Sequence, residues 1–155
     1  MTKVIGLDTS SNSTGWSIFI DGEYSKSGII DCGSIKDTQT RLKKMCSTLL
    51  SFLNTNSPDI VTVEMTVVSR NASAQRMLTM ILGVVYGWCI IHNAYFEMLR
   101  PSEWRALISN EKKGRKRNEL KLWSVRKVKE LFNIDVTDDE SDAILIGQAY
   151  VNKYT

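Results

Sequence analysis

Short apolar runs separated by polar turns open the chain and predict three β-strands. The runs cover residues 4–8, 15–20 and 27–32, and such runs between turn residues are typical of buried strands. The pair Asp21-Gly22, between the second and third runs, is a strong signal for a two-residue hairpin turn. The start of the chain therefore predicts a meander of three strands.

Apolar residues then recur at helical spacing, and helices are interspersed with two further strands. Leu42, Met45, Leu49 and Leu53 share one face of a helix predicted over residues 38–54. The later patterns predict a strand at 59–64, a helix at 69–92, a strand at 94–99, and helices at 101–108, 118–132 and 138–150. This order indicates an α/β fold: a mixed five-stranded sheet with helices on both faces.

Length and composition are those of an ordinary globular protein. The chain has 155 residues, 43% hydrophobic and 24% charged, which favours a single domain over residues 1–155. The net charge of +3 is too small to indicate a nucleic-acid partner by itself. Three cysteines without a CxxC pair disfavour a disulfide framework or zinc site and favour free thiols in a reducing cytosol.

The chain shows no sign of export or membrane insertion at the level of sequence. It begins directly with a strand pattern, so we expect no signal peptide. The uncharged stretch from Met77 to Ile91 is shorter than the roughly 20 residues that span a bilayer. We expect a buried helix there, no membrane partner and a cytoplasmic location.

Four acidic residues are candidates for a metal site. Asp8 and Glu64 each end an apolar strand, and catalytic groups gather at strand ends in sheets of this kind. Asp139 and Asp142 are three residues apart and therefore share a helix face. Oxygen ligands favour Mg²⁺ or Mn²⁺, and two such ions about 4 Å apart can support phosphodiester hydrolysis. The alternative is that the acids of residues 138–142 only cap a helix.

Residues for other common chemistries are missing. His92 is the only histidine, and no GxSxG nucleophile elbow accompanies it. Neither a GxGxxG motif nor a Walker loop is present, so we expect no nucleotide cofactor.

Two further patterns suggest macromolecular partners. Residues 112–117 hold five cations that can neutralise DNA phosphates, although a solvated loop is the alternative. Gly83 and Gly87 permit close helix approach, either to the protein's own sheet or to a second subunit. The candidate DNA-binding residues are Arg70, Arg76, Arg105, Lys112, Lys113, Arg115, Lys116 and Arg117.

The motifs resemble those of the RuvC-type Holliday junction resolvases, in the RNase H-like superfamily, over nearly the whole chain. The similar segments are Gly6-Leu7-Asp8, Thr14-Gly15-Trp16, Val63-Glu64, Asn71-Ala72, Arg100-Pro101 with Arg105, and Asp139-Glu140-Ser141-Asp142-Ala143. The resemblance implies an RNase H-like fold and a homodimer that makes paired nicks in four-way DNA junctions. It also implies two Mg²⁺ or Mn²⁺ ions, with Asp8, Glu64, Asp139 and Asp142 as metal ligands and catalytic residues.

The chain departs from the family pattern at two places. Thr9-Ser10 stands where the family has Pro-Gly, and Val67 stands where an aromatic residue often contacts unpaired bases. The chain is also slightly short and divergent, so we expect a phage or mobile-element version, working in a bacterial or phage-infected cell.

Two other functions stay open at this point. A non-catalytic protein that binds branched DNA is one, but a complete set of acids would repel its substrate. An actin-like ATP-binding domain is the other, but 155 residues leave no room for the second lobe of such proteins.

Overall fold

The structure is a computed structural model, and it describes residues 1–65 and 71–155. Its elements are β1 (Lys3–Asp8), β2 (Ser13–Ile20), β3 (Glu23–Asp31), α1 (Thr38–Asn56), β4 (Ile60–Glu64), α2 (Ala72–His92), β5 (Tyr95–Leu99), α3 (Pro101–Ile108), α4 (Arg117–Phe132) and α5 (Asp138–Lys153). Every strand and helix that the hydrophobic pattern predicts is present. The predicted start of the long helix, at residues 69 and 70, lies outside the described residues.

The five strands form one mixed sheet in the order β3-β2-β1-β4-β5. The hairpin partners β1, β2 and β3 are antiparallel, whereas β1 with β4 and β4 with β5 are parallel. Asp21 and Gly22 both have positive φ, 51° and 83°, as the tight turn between β2 and β3 requires. The expected mixed five-stranded sheet and the predicted hairpin are therefore confirmed.

Helices cover both faces of the sheet and enclose two hydrophobic cores. Ile5 and Leu7 of β1 belong to the core beneath α1 and α2, and Val4 belongs to the core beneath α3, α4 and α5. Because successive side chains of a strand point to opposite faces, β1 is apolar along almost its whole length. The three cysteines are free thiols.

Helix α2 has one buried and one exposed apolar face. By length and hydropathy it could cross a membrane, but Ile81, Val85 and Trp88 pack in the first core. On the other side, Met80 and Ile91 are 57% and 79% exposed. No described residue covers this apolar face, and exposed apolar patches are a common feature of interaction surfaces.

Helix α5 lies directly on β1 and β2 because small residues face it. A Cβ atom at Gly15 would stand 2.1 Å from the backbone oxygen of Asp139, and one at Gly6 would stand 2.7 Å from that of Ala143. The buried Ser17 hydroxyl also donates a 2.7 Å hydrogen bond to the Ala143 oxygen. This close approach brings the first turn of α5 to the end of β1.

We predict that Gly15→Ala destabilises the protein by roughly 1–3 kcal/mol or more, because its methyl group meets a helix backbone that cannot shift alone. Urea unfolding measures the loss. Gly28→Ala is the matched control on the neighbouring strand, since its Cβ would meet the Trp16 side chain and not a helix backbone. Equal losses for the two variants would show that the Gly15 contact does not limit where α5 lies.

Candidate active site

Two of the candidate acids lie side by side at one edge of the sheet. Strand β1 runs parallel to β4, with Leu7 opposite Val63. Asp8 and Glu64 come next on their strands, so the same edge carries both carboxylates. The Asp8 side chain is 20% exposed, which leaves it open to solvent or substrate from one side only.

The acids at the start of α5 have different roles. Asp138 accepts a hydrogen bond from the backbone N–H of Asp139 at 2.9 Å, and Glu140 accepts one from Ser27 at 2.5 Å. The N-cap of α5 is Thr137, and Asp138 supports the first turn by accepting from a free backbone N–H. Asp139 and Asp142 instead lie within 4 Å of one ammonium group, that of Lys121, which also approaches Asp8.

Lys121 stands among the acids, and its position was not predicted from sequence. Its ammonium lies 2.8 Å from Asp142 Oδ2, 3.7 Å from Asp139 Oδ1 and 3.9 Å from Asp8 Oδ2. In the sequence it is one of many cations after residue 111, and nothing local distinguishes it. Only the packing of α4 against α5 shows that Lys121 belongs to the site.

Trp104 is a second site residue that the sequence analysis missed. Its indole N–H donates a 2.7 Å hydrogen bond to Glu64 Oε2, and its side chain is fully buried. The guanidinium of Arg105 lies over the indole ring, 4.5 Å from the centroid. Trp104 therefore orients Glu64 and joins it to a cation beside the site.

Burial and mutual repulsion raise the pKa of the central acids. Burial is the largest effect that raises the pKa of Asp8 well above its usual range; Asp142 raises it further, while Lys121 lowers it. Burial also raises the pKa of Glu64, against the hydrogen bond from Trp104. Burial lowers the pKa of Lys121, but the carboxylates, Asp142 foremost, outweigh burial and raise it.

The candidate ligands have the chemistry that a hard divalent cation requires, although the described side chains do not surround an ion position as they stand. Among residues 1–65 and 71–155, no three histidine, cysteine or acidic side chains are grouped closely enough to hold an ion as they stand. Asp142 Oδ1, however, is buried and has no hydrogen-bond partner within residues 1–65 and 71–155, which is costly unless a cation binds it. All four candidate ligands offer carboxylate oxygens, the donors that Mg²⁺ and Mn²⁺ prefer.

A cleft beside Glu64 is lined by two of the predicted DNA-binding cations, Arg105 and Lys113. Its volume is about 630 Å³, and Met65, Arg100, Arg105 and Lys113 contribute to its lining. The buried Nε of Arg105 has no hydrogen-bond partner among the described residues. An anion in the cleft would satisfy this group.

The other predicted DNA-binding residues differ in whether their charged groups are exposed to solvent or bonded to the protein itself. Lys113 donates to the backbone oxygens of Ser109 and Glu111, so its ammonium holds its own loop. Arg70 and Val67 lie outside the described residues. The side chains that are exposed to solvent are those of Arg76, Lys112, Arg115, Lys116 and Arg117.

Gly83 and Gly87 do not pack against the protein's own sheet. A Cβ atom at either position would meet nothing within 4 Å in the described part of the chain. The alternative that this spacing serves packing within one subunit is therefore wrong. The glycines face outward, on the same side of α2 as its exposed apolar residues.

Comparison with known proteins finds relatives that are named as crossover junction endodeoxyribonucleases. A family model described as crossover junction endodeoxyribonuclease RuvC matches residues 4–149. The protein of that name from Ehrlichia ruminantium (strain Welgevonden) is 34% identical over 90 residues, a match that covers 54% of this chain and 56% of the relative. The chain thus spans little more than half of that relative. The Caldicellulosiruptor saccharolyticus protein is 25% identical over 155 residues, covering 96% of this chain and 92% of the relative.

A solved structure agrees with the fold over the whole chain. The structure of T. thermophilus RuvC in complex with a Holliday junction substrate matches with a TM-score of 0.78 at 12% identity, covering 99% of this chain and 95% of that chain. The RNase H-like fold expected from the sequence is therefore confirmed.

We predict that Asp8→Asn is more stable than the parent in EDTA at neutral pH, by on the order of 1 kcal/mol. The folded-state pKa of Asp8 is raised, so ionisation of Asp8 destabilises the fold. This penalty is absent below the unfolded pKa of about 3.9 and grows as pH rises through the folded pKa. Urea unfolding at several pH values measures it.

Asp135→Asn is the control, because Asp135 is exposed and pairs with Lys129 instead of Lys121. It should bring no comparable gain at neutral pH. An Asp8→Asn protein less stable than the parent under these conditions would identify Asp8 as a structural turn residue instead.

Proposed function

Because residues 4–149 match its model, the chain belongs to the family of crossover junction endodeoxyribonuclease RuvC, and on this premise we propose that it resolves four-way DNA junctions. The reaction would be metal-dependent hydrolysis of phosphodiester bonds, with paired nicks in opposed strands. Such a substrate places the protein with DNA in the cytoplasm of a bacterial or phage-infected cell.

The observation that carries the proposal is the convergence of acids from three separate elements. Asp8 ends β1, Glu64 ends the neighbouring β4, and α5 brings Asp139 and Asp142 to the same place. These side chains come from distant parts of the chain, so local helix capping or turn formation does not account for them. A protein that only binds DNA would gain nothing from carboxylates that repel phosphates.

We propose Asp8, Glu64, Asp139 and Asp142 as the ligands of two Mg²⁺ ions, which Mn²⁺ can replace. Bound ions would supply a nucleophile from water at neutral pH and would stabilise charge on the leaving oxygen. The chain itself orients the ligands: Trp104 holds one oxygen of Glu64 at 2.7 Å. The other Asp142 oxygen is already buried and has no partner in the described part of the chain, so a cation there would find its ligand in place.

The DNA strand would approach along the cleft beside Glu64. Arg105 lies between this cleft and Trp104, and a phosphate would partner its buried Nε. Cations that contact phosphates supply affinity and orientation without sequence information. The exposed cations that would extend this contact are Arg76, Lys112, Arg115, Lys116 and Arg117, while Lys113 would shape the loop.

The outward face of α2 supports a homodimer. Met80, Gly83, Gly87 and Ile90 recur at helical spacing, and the chain leaves this face uncovered, with Met80 57% and Ile90 66% exposed. The glycines would let a second copy of α2 approach closely. A two-fold dimer suits a junction with near two-fold symmetry, because each subunit then meets an equivalent strand.

We predict that the protein nicks synthetic four-way junctions in Mg²⁺ or Mn²⁺ and is inactive in EDTA. Asp8→Asn should lower the nicking rate by several orders of magnitude, because the ions lose an anionic ligand. Its junction affinity without metal should equal or exceed that of the parent, since less negative charge meets the DNA. Denaturing gels and gel shifts on the same preparations measure both.

Asp135→Asn, which removes an exposed carboxylate that pairs with Lys129 and not with Lys121, should nick at the parent rate. Junction binding by the parent without nicking would favour the non-catalytic alternative. A folded Asp8→Asn protein that nicks at nearly the parent rate would exclude the acid site.

We also predict that the protein sediments as a dimer at micromolar concentration and that Gly83→Trp shifts it toward the monomer. The bulky ring would separate two α2 helices that the glycines allow to touch. Ser51→Trp, which adds the same ring to the exposed surface of α1, is the control and should stay dimeric. Monomeric parent protein that still makes paired nicks would contradict this assembly.

A further inference from the structure

We infer that Lys121 holds one of the two cation positions of the acid site in the DNA-free protein, so that the second divalent ion binds only when Lys121 has another anion to pair with. This inference rests on the proposed metal-dependent function and deepens it, because it links metal loading to the arrival of DNA. It makes Lys121 a positioning residue for the acids and the ions.

The geometry gives Lys121 the neighbours that a metal ion would have. Its ammonium is hydrogen-bonded to Asp142 at 2.8 Å and lies within 4 Å of both Asp139 and Asp8. Glu64 forms no ion pair with it and is held by Trp104 instead. The Asp139–Asp142 half of the site thus contains a cation, and the half toward Glu64 does not.

The balance of charge explains why the lysine would limit metal binding. Four ionised carboxylates carry four negative charges, so Lys121 and one divalent ion together leave a single negative charge. A second divalent ion would then make the site positive while Lys121 remains. One DNA phosphate restores neutrality with both ions and the lysine present, and near-neutral arrangements are favoured where burial weakens hydration.

The surroundings of Lys121 allow its ammonium to move. A cleft of about 670 Å³ opens beside it, lined by Lys121 with Arg117, Asn118, Leu122 and Asp138. The flexible four-carbon stem of lysine can turn its ammonium between nearby anions. A phosphate in this cleft, beside the exposed Arg117, would give Lys121 an alternative partner and free Asp139 and Asp142.

Titration of the DNA-free protein with Mn²⁺, followed by calorimetry and by the EPR signal of free Mn²⁺, tests the inference. The parent should bind one ion per subunit. Lys121→Met, which keeps an unbranched side chain one atom shorter and removes its charge, should bind two ions, with the second at least tenfold tighter than any second site of the parent. Lys121→Arg should retain parent-like binding because it retains the charge.

Lys129→Met is the matched control on the same helix, because its ammonium pairs with the exposed Asp135, and it should bind Mn²⁺ like the parent. In EDTA, Lys121→Met should melt below the parent, and Mn²⁺ should raise its melting temperature by more. If Lys121→Met does not fold without metal, the parent stoichiometry still decides.

Two Mn²⁺ ions bound tightly by the DNA-free parent would overturn the inference. Equal stoichiometry and affinities within twofold for the parent and Lys121→Met would do the same. Either result leaves the proposed function intact if the parent nicks junctions in Mn²⁺. Failure of the proposed function has a different signature: the parent binds Mn²⁺ but nicks no junction.

Discussion

Helix α5 contacts β1 and β2 backbone to backbone, and the position of the acid site depends on this contact. Glycine at positions 6 and 15 leaves room for the helix, and Ser17 ties the Ala143 oxygen to the sheet. A side chain at either glycine would move the first turn of α5 outward. Asp139 and Asp142 would then no longer reach the edge at which β1 and β4 end.

Bringing acids together has a thermodynamic cost that the surrounding residues only partly offset. The pKa values of Asp8 and Glu64 are raised chiefly by burial, so both carboxylates are less stable ionised here than in water. Trp104 and Lys121 compensate by a hydrogen bond and by charge. Carboxylates with raised pKa values are common at sites that act on charged substrates. A bound cation supplies the positive charge that offsets the repulsion between them.

The two faces of the sheet serve different purposes. One face carries α3, α4 and α5, which supply Trp104, Lys121 and two of the acids. The other carries α1 and α2, and the outer side of α2 is apolar and uncovered. Because the layers lie on opposite sides of one sheet, the proposed dimer contact through α2 would leave the acid edge and its cleft uncovered.

The sequence by itself determined the elements of this protein and the four acids, because hydrophobic periodicity reports which side of each element is buried. Asp8 and Glu64 end β1 and β4, as the strand pattern predicted, and the hairpin at Asp21 followed from its turn residues. Tertiary structure alone decided that Lys121 belongs to the site, whereas the equally charged Lys113 binds its own loop. Contacts between α4 and α5 depend on how two distant helices pack, and no local pattern of residues encodes that distance.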